Sequence, residues 1–174
     1  LGISLATTDG VTAGMIHLFN HAVIKGALFL ALGCIFLRLG STELRDIRGI
    51  ARHMPWTMAA FVAVGLGLIG IPMTAGFISK WYLVLAVLSH GLWPLAFLVL
   101  ASSLMALVYV GRVVEAAYFQ TPSRDATGTS EAPLVMLIPT WLLVGTSIWF
   151  GIEPELVTGL ARQGAEILVG QAAR

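Results

Sequence analysis

Three ionisable side chains, His17, His21 and Lys25, recur every four residues inside an apolar run from Ala13 to Leu37. That spacing stacks them along one helix face, about 6 Å apart along the axis. Asn20 borders the same face, and a fourth ionisable group, Lys80, lies in a later apolar stretch. At membrane depth such groups are expensive, so they pair inward or line a wet path. The chemistry these types suit is proton handling. Histidine titrates near neutral pH and can take a proton on one ring nitrogen while releasing one from the other. Burial disfavours the charged form of a lysine, so a buried lysine gives up its proton more readily. One water can bridge side chains at this separation. His17, His21, Lys25 and Lys80 are therefore the expected proton-translocation residues.

Other chemistries fit less well. The sequence has no glycine-rich phosphate loop, no CxxC pair and no HExxH. His17 and His21 have the spacing of a two-histidine metal pair, but two ligands are insufficient and no carboxylate or thiol joins them. Bis-histidine haem ligation needs histidines on facing helices, and these share one. Cys34 is single and mid-span, which makes it a small apolar core residue. No cofactor, no metal and no stand-alone catalysis are expected. A scaffold in which the row only packs helices is a further alternative. Helix-packing polar residues are usually Ser, Thr, Asn or Gln, however, not two histidines and two lysines.

The elements that must position these groups follow from composition. Of 174 residues, 57% are hydrophobic and 11% charged, against about 25% charged in soluble domains. The net charge of +1 and the lack of a basic cluster give no footing for nucleic acid. An all-α, polytopic transmembrane bundle is expected. Its spans fall at about 13–37, 55–89, 93–119 and 133–151, with an amphipathic tail at 152–174. Asp9 or Thr12 is expected to N-cap the first span. Ser41-Thr42-Glu43 is expected to start a short surface helix in the basic loop 38–54.

The second apolar stretch is interrupted near 70–76, where Gly70, Pro72 and Gly76 would break a helix. It is either one discontinuous span or two spans joined by a tight turn. The basic loop belongs in the cytoplasm, and Arg112 and Arg124 return there only if the span is single and broken. Arg112 and Glu115 can pair at i, i+3. Trp141 and Trp149 are candidate interface anchors. In the tail, Leu156, Leu160, Ala161, Ile167 and Leu168 oppose Arg162, Gln163, Glu166 and Gln171, the pattern of a helix lying on the membrane or on a partner. The chain begins Leu-Gly-Ile, and a C-terminal piece of a longer protein is expected.

Two separated motifs carry a family resemblance. His17-Leu-Phe-Asn-His21-Ala-Val-Ile-Lys25-Gly-Ala-Leu-Phe-Leu-Ala-Leu-Gly33 resembles the HxxxHxxxKxxLFLxxG segment of antiporter-like, proton-translocating membrane subunits. Gly70-Ile-Pro-Met-Thr-Ala-Gly-Phe-Ile-Ser-Lys80 resembles their broken helix with its functional lysine, and Arg48 to Pro55 resembles the loop before it. The family includes Mrp-type cation/proton antiporters and the large membrane subunits of NADH:quinone oxidoreductase and membrane-bound hydrogenases. The resemblance implies the C-terminal part of an inverted-repeat fold of about fourteen spans, of which this chain holds the last four. Lys80 would be the terminal lysine of a central axis, and His21 and Lys25 would link it to a middle lysine. Lys25-Gly26 and Lys80-Trp-Tyr look most like the D-type subunit of the Mrp antiporters. The expected function is that of a multisubunit monovalent cation/proton antiporter subunit, with a proton-pumping respiratory or hydrogenase subunit as the alternative. Other membrane subunits, the lipid bilayer, protons and Na+ or K+ are the expected partners. The expected location is the cell inner (plasma) membrane, crossed several times.

Overall fold

The computed structural model describes residues 2–122 and 128–172, the last two by backbone alone. Arg124, used above to orient the chain, lies outside the described residues, as does the side chain of Gln171. The described residues form six α-helices and no strand: α1 (Thr8–Leu39), α2 (Pro55–Ile69), α3 (Ala75–Leu88), α4 (Trp93–Phe119), α5 (Leu134–Ile152) and α6 (Glu155–Ala172).

Helix α1 begins earlier than its apolar run suggests. Thr7, in extended backbone, accepts a hydrogen bond from the Gly10 amide at 3.2 Å and is the N-cap. The expected caps are therefore corrected. Asp9 sits in the first turn, where a carboxylate complements the positive helix end. Thr12 is inside the helix and donates to the Thr8 carbonyl at 2.7 Å. The surface helix expected from Ser41 is also absent. Ser41 Oγ accepts from the Glu43 amide at 3.1 Å and donates to Asp46 at 2.6 Å. Such local side-chain bonds compete with a helix and leave turns, followed by a short 3-10 helix at Ile50–Arg52.

Pro55 opens α2 at its first turn, where a missing amide costs nothing. One of the free amides there is met from far along the chain. Glu131 accepts from the Trp56 amide at 2.7 Å and from the Thr57 hydroxyl at 2.5 Å. The main core lies among α1, α2, α4 and α5, around Ile24, Ala31, Phe61, Val64, Val110 and Val144.

Three helices, α1, α4 and α5, are long and apolar enough to cross a membrane. Helices α2 and α3 have 15 and 14 residues. Each is roughly 22 Å long, short of a hydrocarbon core of about 30 Å. Their contacts decide how they are joined. Gly76 lies against Gly67, and Lys80 against Leu68 and Ile69. Positions advance together along both halves, as in two half-helices running in one direction and not in an antiparallel hairpin.

Two further expectations change. Arg112 and Glu115 form no ion pair, and both are exposed near the end of α4. Trp141 packs edge-to-face on Trp56 at 6.2 Å, with its indole nitrogen buried, so it does not present that nitrogen to an interface. Helix α6 has two apolar faces. Val157, Ala161 and Ala165 are buried beside Ile16, and Gly164 lets Met15 approach closely. Leu156, Leu160 and Ile167 stay more than half exposed on an adjoining face, and Leu168 is exposed on the buried face itself, one turn beyond Ala165.

Candidate functional site

The break between α2 and α3 builds the site. Gly70 and Met73 take left-handed backbone, φ 91° and 71°, which turns the chain out of α2. For methionine that conformation is uncommon. Thr74 then caps α3, accepting from the Phe77 amide at 3.4 Å and donating to the Ile71 carbonyl at 2.7 Å. The two halves overlap side by side. A Cβ on Gly76 would lie 1.8 Å from the Gly67 carbonyl oxygen, so only glycine fits there. Gly151 of α5 backs directly onto the Met73 carbonyl in the same way.

Stopping α2 in mid-protein leaves its last carbonyls without helical partners. Lys80 meets them. Its Nζ donates to the Leu68 carbonyl at 2.8 Å and the Ile69 carbonyl at 2.9 Å. A third donation, at 2.7 Å, goes to Ser103 Oγ of α4. The ammonium thus belongs to α3 but caps α2 at the negative end of its dipole. Gly70 has no Cβ to obstruct it: the Lys80 Cδ would be 3.1 Å from one.

Helix α1 closes the other side. The His17 and His21 rings stack with centroids 5.4 Å apart. His17 Nδ1 is 3.2 Å from Ser79 Oγ, which itself donates to the Gly76 carbonyl at 3.0 Å. Asn20, fully buried, donates to the Ala75 carbonyl at 2.8 Å, and its Oδ1 has no partner among the described residues. A cavity of about 20 Å³ lies between His17, His21, Gly67, Ser79 and Lys80. A space that size admits one water, and its lining supplies the polar partners a water needs.

Three of the four sequence-derived residues, His17, His21 and Lys80, therefore meet at one cavity. Lys25 does not line it; its Nζ sits 5.9 Å from the Phe29 ring centroid on the same helix. Each four-residue step turns a helix by about 40°, so two steps carry Lys25 about 80° away from His17. Sequence reasoning passed over Ser103 and gave Ser79 no role. Ser102-Ser103 is a polar pair in the middle of the apolar α4, which was the available signal. Glu131 lies between α4 and α5, outside any apolar or periodic run, and could not be placed without the fold.

A helical membrane protein with a broken helix and a half-buried, hydrogen-bonded lysine at the break is the class that this fold and site define. Likeness to known proteins gives the family. Residues 1–106 match the family described as NADH:quinone oxidoreductase/Mrp antiporter, TM, and the chain belongs to it. It is 42% identical over 155 residues to the NADH-quinone oxidoreductase N subunit of Desulforudis audaxviator, covering 82% of this chain and 31% of that protein. It is 26% identical to the Na(+)/H(+) antiporter D-type subunit of Bacillus subtilis, covering 97% of this chain and 34% of that protein. Among solved structures, the Mrp complex from Dietzia sp. DQ12-45-1b is similar at a TM-score of 0.89 and 25% identity, over 97% of this chain and 40% of that one. The chain spans about a third of the length of the curated relatives it matches.

Proposed function

We propose that this chain is part of a proton-translocating subunit of a multisubunit complex in the plasma membrane, and that Lys80 carries the proton. His17 and His21 are its exchange partners across one water, and Lys25 continues the path along α1 outside the cavity. One observation supports this above the rest: a half-buried ammonium, two stacked imidazoles and a water-sized cavity occur together at a helix break. A scaffold would need the hydrogen bonds but not the titratable groups. Family membership supports transport as the role of the whole protein.

The leading reading couples this proton to a monovalent cation, Na+ or K+, in an antiporter; the Na(+)/H(+) antiporter name of the Bacillus subtilis relative supports the first of these. The likeness to the Mrp complex over nearly the whole chain supports it. A second reading, supported by 42% identity to an NADH-quinone oxidoreductase N subunit, has a redox reaction elsewhere in the complex driving the same movement. The test is proton flux in vesicles carrying the whole complex, started either by a cation gradient or by an electron donor and quinone. Lys80→Ala should abolish flux while immunoblots show the assembled complex. Lys80→Arg should fail as well, because arginine keeps its proton. Normal flux from assembled Lys80→Ala complexes would end the reading. Which trigger starts wild-type flux decides between antiport and redox pumping.

A further inference from the structure

We infer that Ser103 is a positioning residue that holds Lys80 in place while its protonation changes, its hydroxyl accepting from the ammonium and donating to the neutral amine. The inference rests on the proton-carrier reading above and adds a residue on α4 to it. An ammonium has three N–H donors, and Lys80 directs them to three acceptors, the Leu68 and Ile69 carbonyls and Ser103 Oγ. Carbonyls only accept; a hydroxyl does both. Of the three partners, Ser103 alone can reverse its bond. Its own hydrogen is placed for this: the nearest acceptor is the Val99 carbonyl at 3.5 Å, a bond at the limit of length and easily given up.

One Nζ–H bond breaks, and its proton passes through one water to the imidazole of His17 or His21, where an N–H bond forms. The remaining two N–H groups stay on Leu68 and Ile69. The new lone pair takes the Ser103 hydroxyl hydrogen, released from Val99. The proton that leaves is the one Ser103 held, so the amine swings toward the cavity to release it and returns to Ser103 with its lone pair, and α2 keeps its cap in both end states. The titratable groups facing Lys80 are His17 and His21, both from α1. Helix α2 brings backbone carbonyls and apolar side chains, α3 brings Ser79, α4 brings Ser103, and α5 brings nothing to the cavity lining.

Removing the hydroxyl takes a charge-assisted bond from the ammonium and a weaker neutral bond from the amine. The flux–pH profile of Ser103→Ala should therefore move about one pH unit toward acid. Ser103→Thr, which keeps the hydroxyl, should restore the wild-type profile. Ser103→Cys, a weak donor and acceptor, should fall between and serves if Ser103→Ala fails to assemble. Flux is measured in vesicles containing the intact complex, normalised to subunit abundance. A lowered flux with an unmoved profile would make Ser103 a packing residue and overturn the inference. So would a wild-type profile in Ser103→Ala. Lys80→Ala, run alongside, separates the two claims: if it transports normally, the proton-carrier reading itself has failed.

Discussion

The contact between Gly76 and Gly67 is the tightest point of the break, and one added methyl group tests it. In Gly76→Ala, the new Cβ would have to retreat from 1.8 Å to at least 3.0 Å from the Gly67 carbonyl oxygen. Both groups are backbone, so no side chain can swing aside. The start of α3 must slide away from the end of α2. Such a shift lengthens the 2.8 Å and 2.9 Å bonds from Lys80 to Leu68 and Ile69, and the 2.8 Å bond from Asn20 to Ala75. Overpacking costs about 1–3 kcal/mol, and each weakened bond to the ammonium adds up to about 1.5 kcal/mol. The gain in helix propensity from glycine to alanine returns about 1 kcal/mol. The net expectation is a loss of about 2–4 kcal/mol. Gly111→Ala is the control, because its Cβ would meet nothing within 4 Å. It should be neutral or slightly stabilising. Thermal denaturation of the purified complex and proton flux in vesicles are the assays. Gly76→Ala should melt several degrees lower and lose most of its flux, while Gly111→Ala should do neither. Wild-type melting and flux in Gly76→Ala would refute the overlap of the half-helices and the placement of Lys80 with it.

Glu131→Ala should lower the melting temperature with flux per assembled complex retained, because it strips the cap from α2 and leaves the buried Thr57 hydroxyl without its carboxylate. The cost is about 1–3 kcal/mol, and an unchanged melt would remove Glu131 from that role. Leu160→Asp with Ile167→Asp should weaken membrane or subunit association, since both side chains lie on the exposed face of α6. Equal recovery of the complex after detergent extraction would count against this. For orientation, His90→Cys in a Cys34→Ala background should react with an impermeant thiol reagent from outside the cell, His90 being exposed in the turn after α3. Reaction only from the cytoplasmic side would invert the topology.

How much was legible in the sequence differs from residue to residue, and the range of the interaction explains the difference. Helix positions and the break rest on local chemistry: long apolar runs, Pro55 at a helix start, Gly70 and Pro72 within one turn of each other. These were readable. The pairing of His17 with His21 was readable too, because one helical step sets it. Two steps were already too many for Lys25, whose face drifts off the site. The α1 cap was missed because several hydroxyls and one carboxylate, Asp9, stood near the same end, and only backbone conformation selects Thr7. Ser103 and Glu131 act across 23 and 74 residues, at Lys80 and Thr57. Neither distance leaves a periodic trace, so the fold alone brings them in.

The break also accounts for why a lysine is tolerated here. Two large effects oppose each other at Nζ. Removal from water disfavours the charge. Two carbonyls at the negative end of α2 favour it, and so does the Ser103 oxygen. An intact helix would offer no such carbonyls, because each would be bonded four residues ahead. The acceptors exist only because α2 stops at Ile69, and they are within reach only because Gly76 lets α3 start beside α2 and not beyond it. A charge held between opposing terms responds to changes nearby, such as a proton arriving on His17 or His21 across the cavity. An all-carbon side chain at position 80 would leave the carbonyls unmet, and a lysine in an unbroken helix would have no acceptors. The glycines and the lysine are thus one device, and substituting either should be felt at the other.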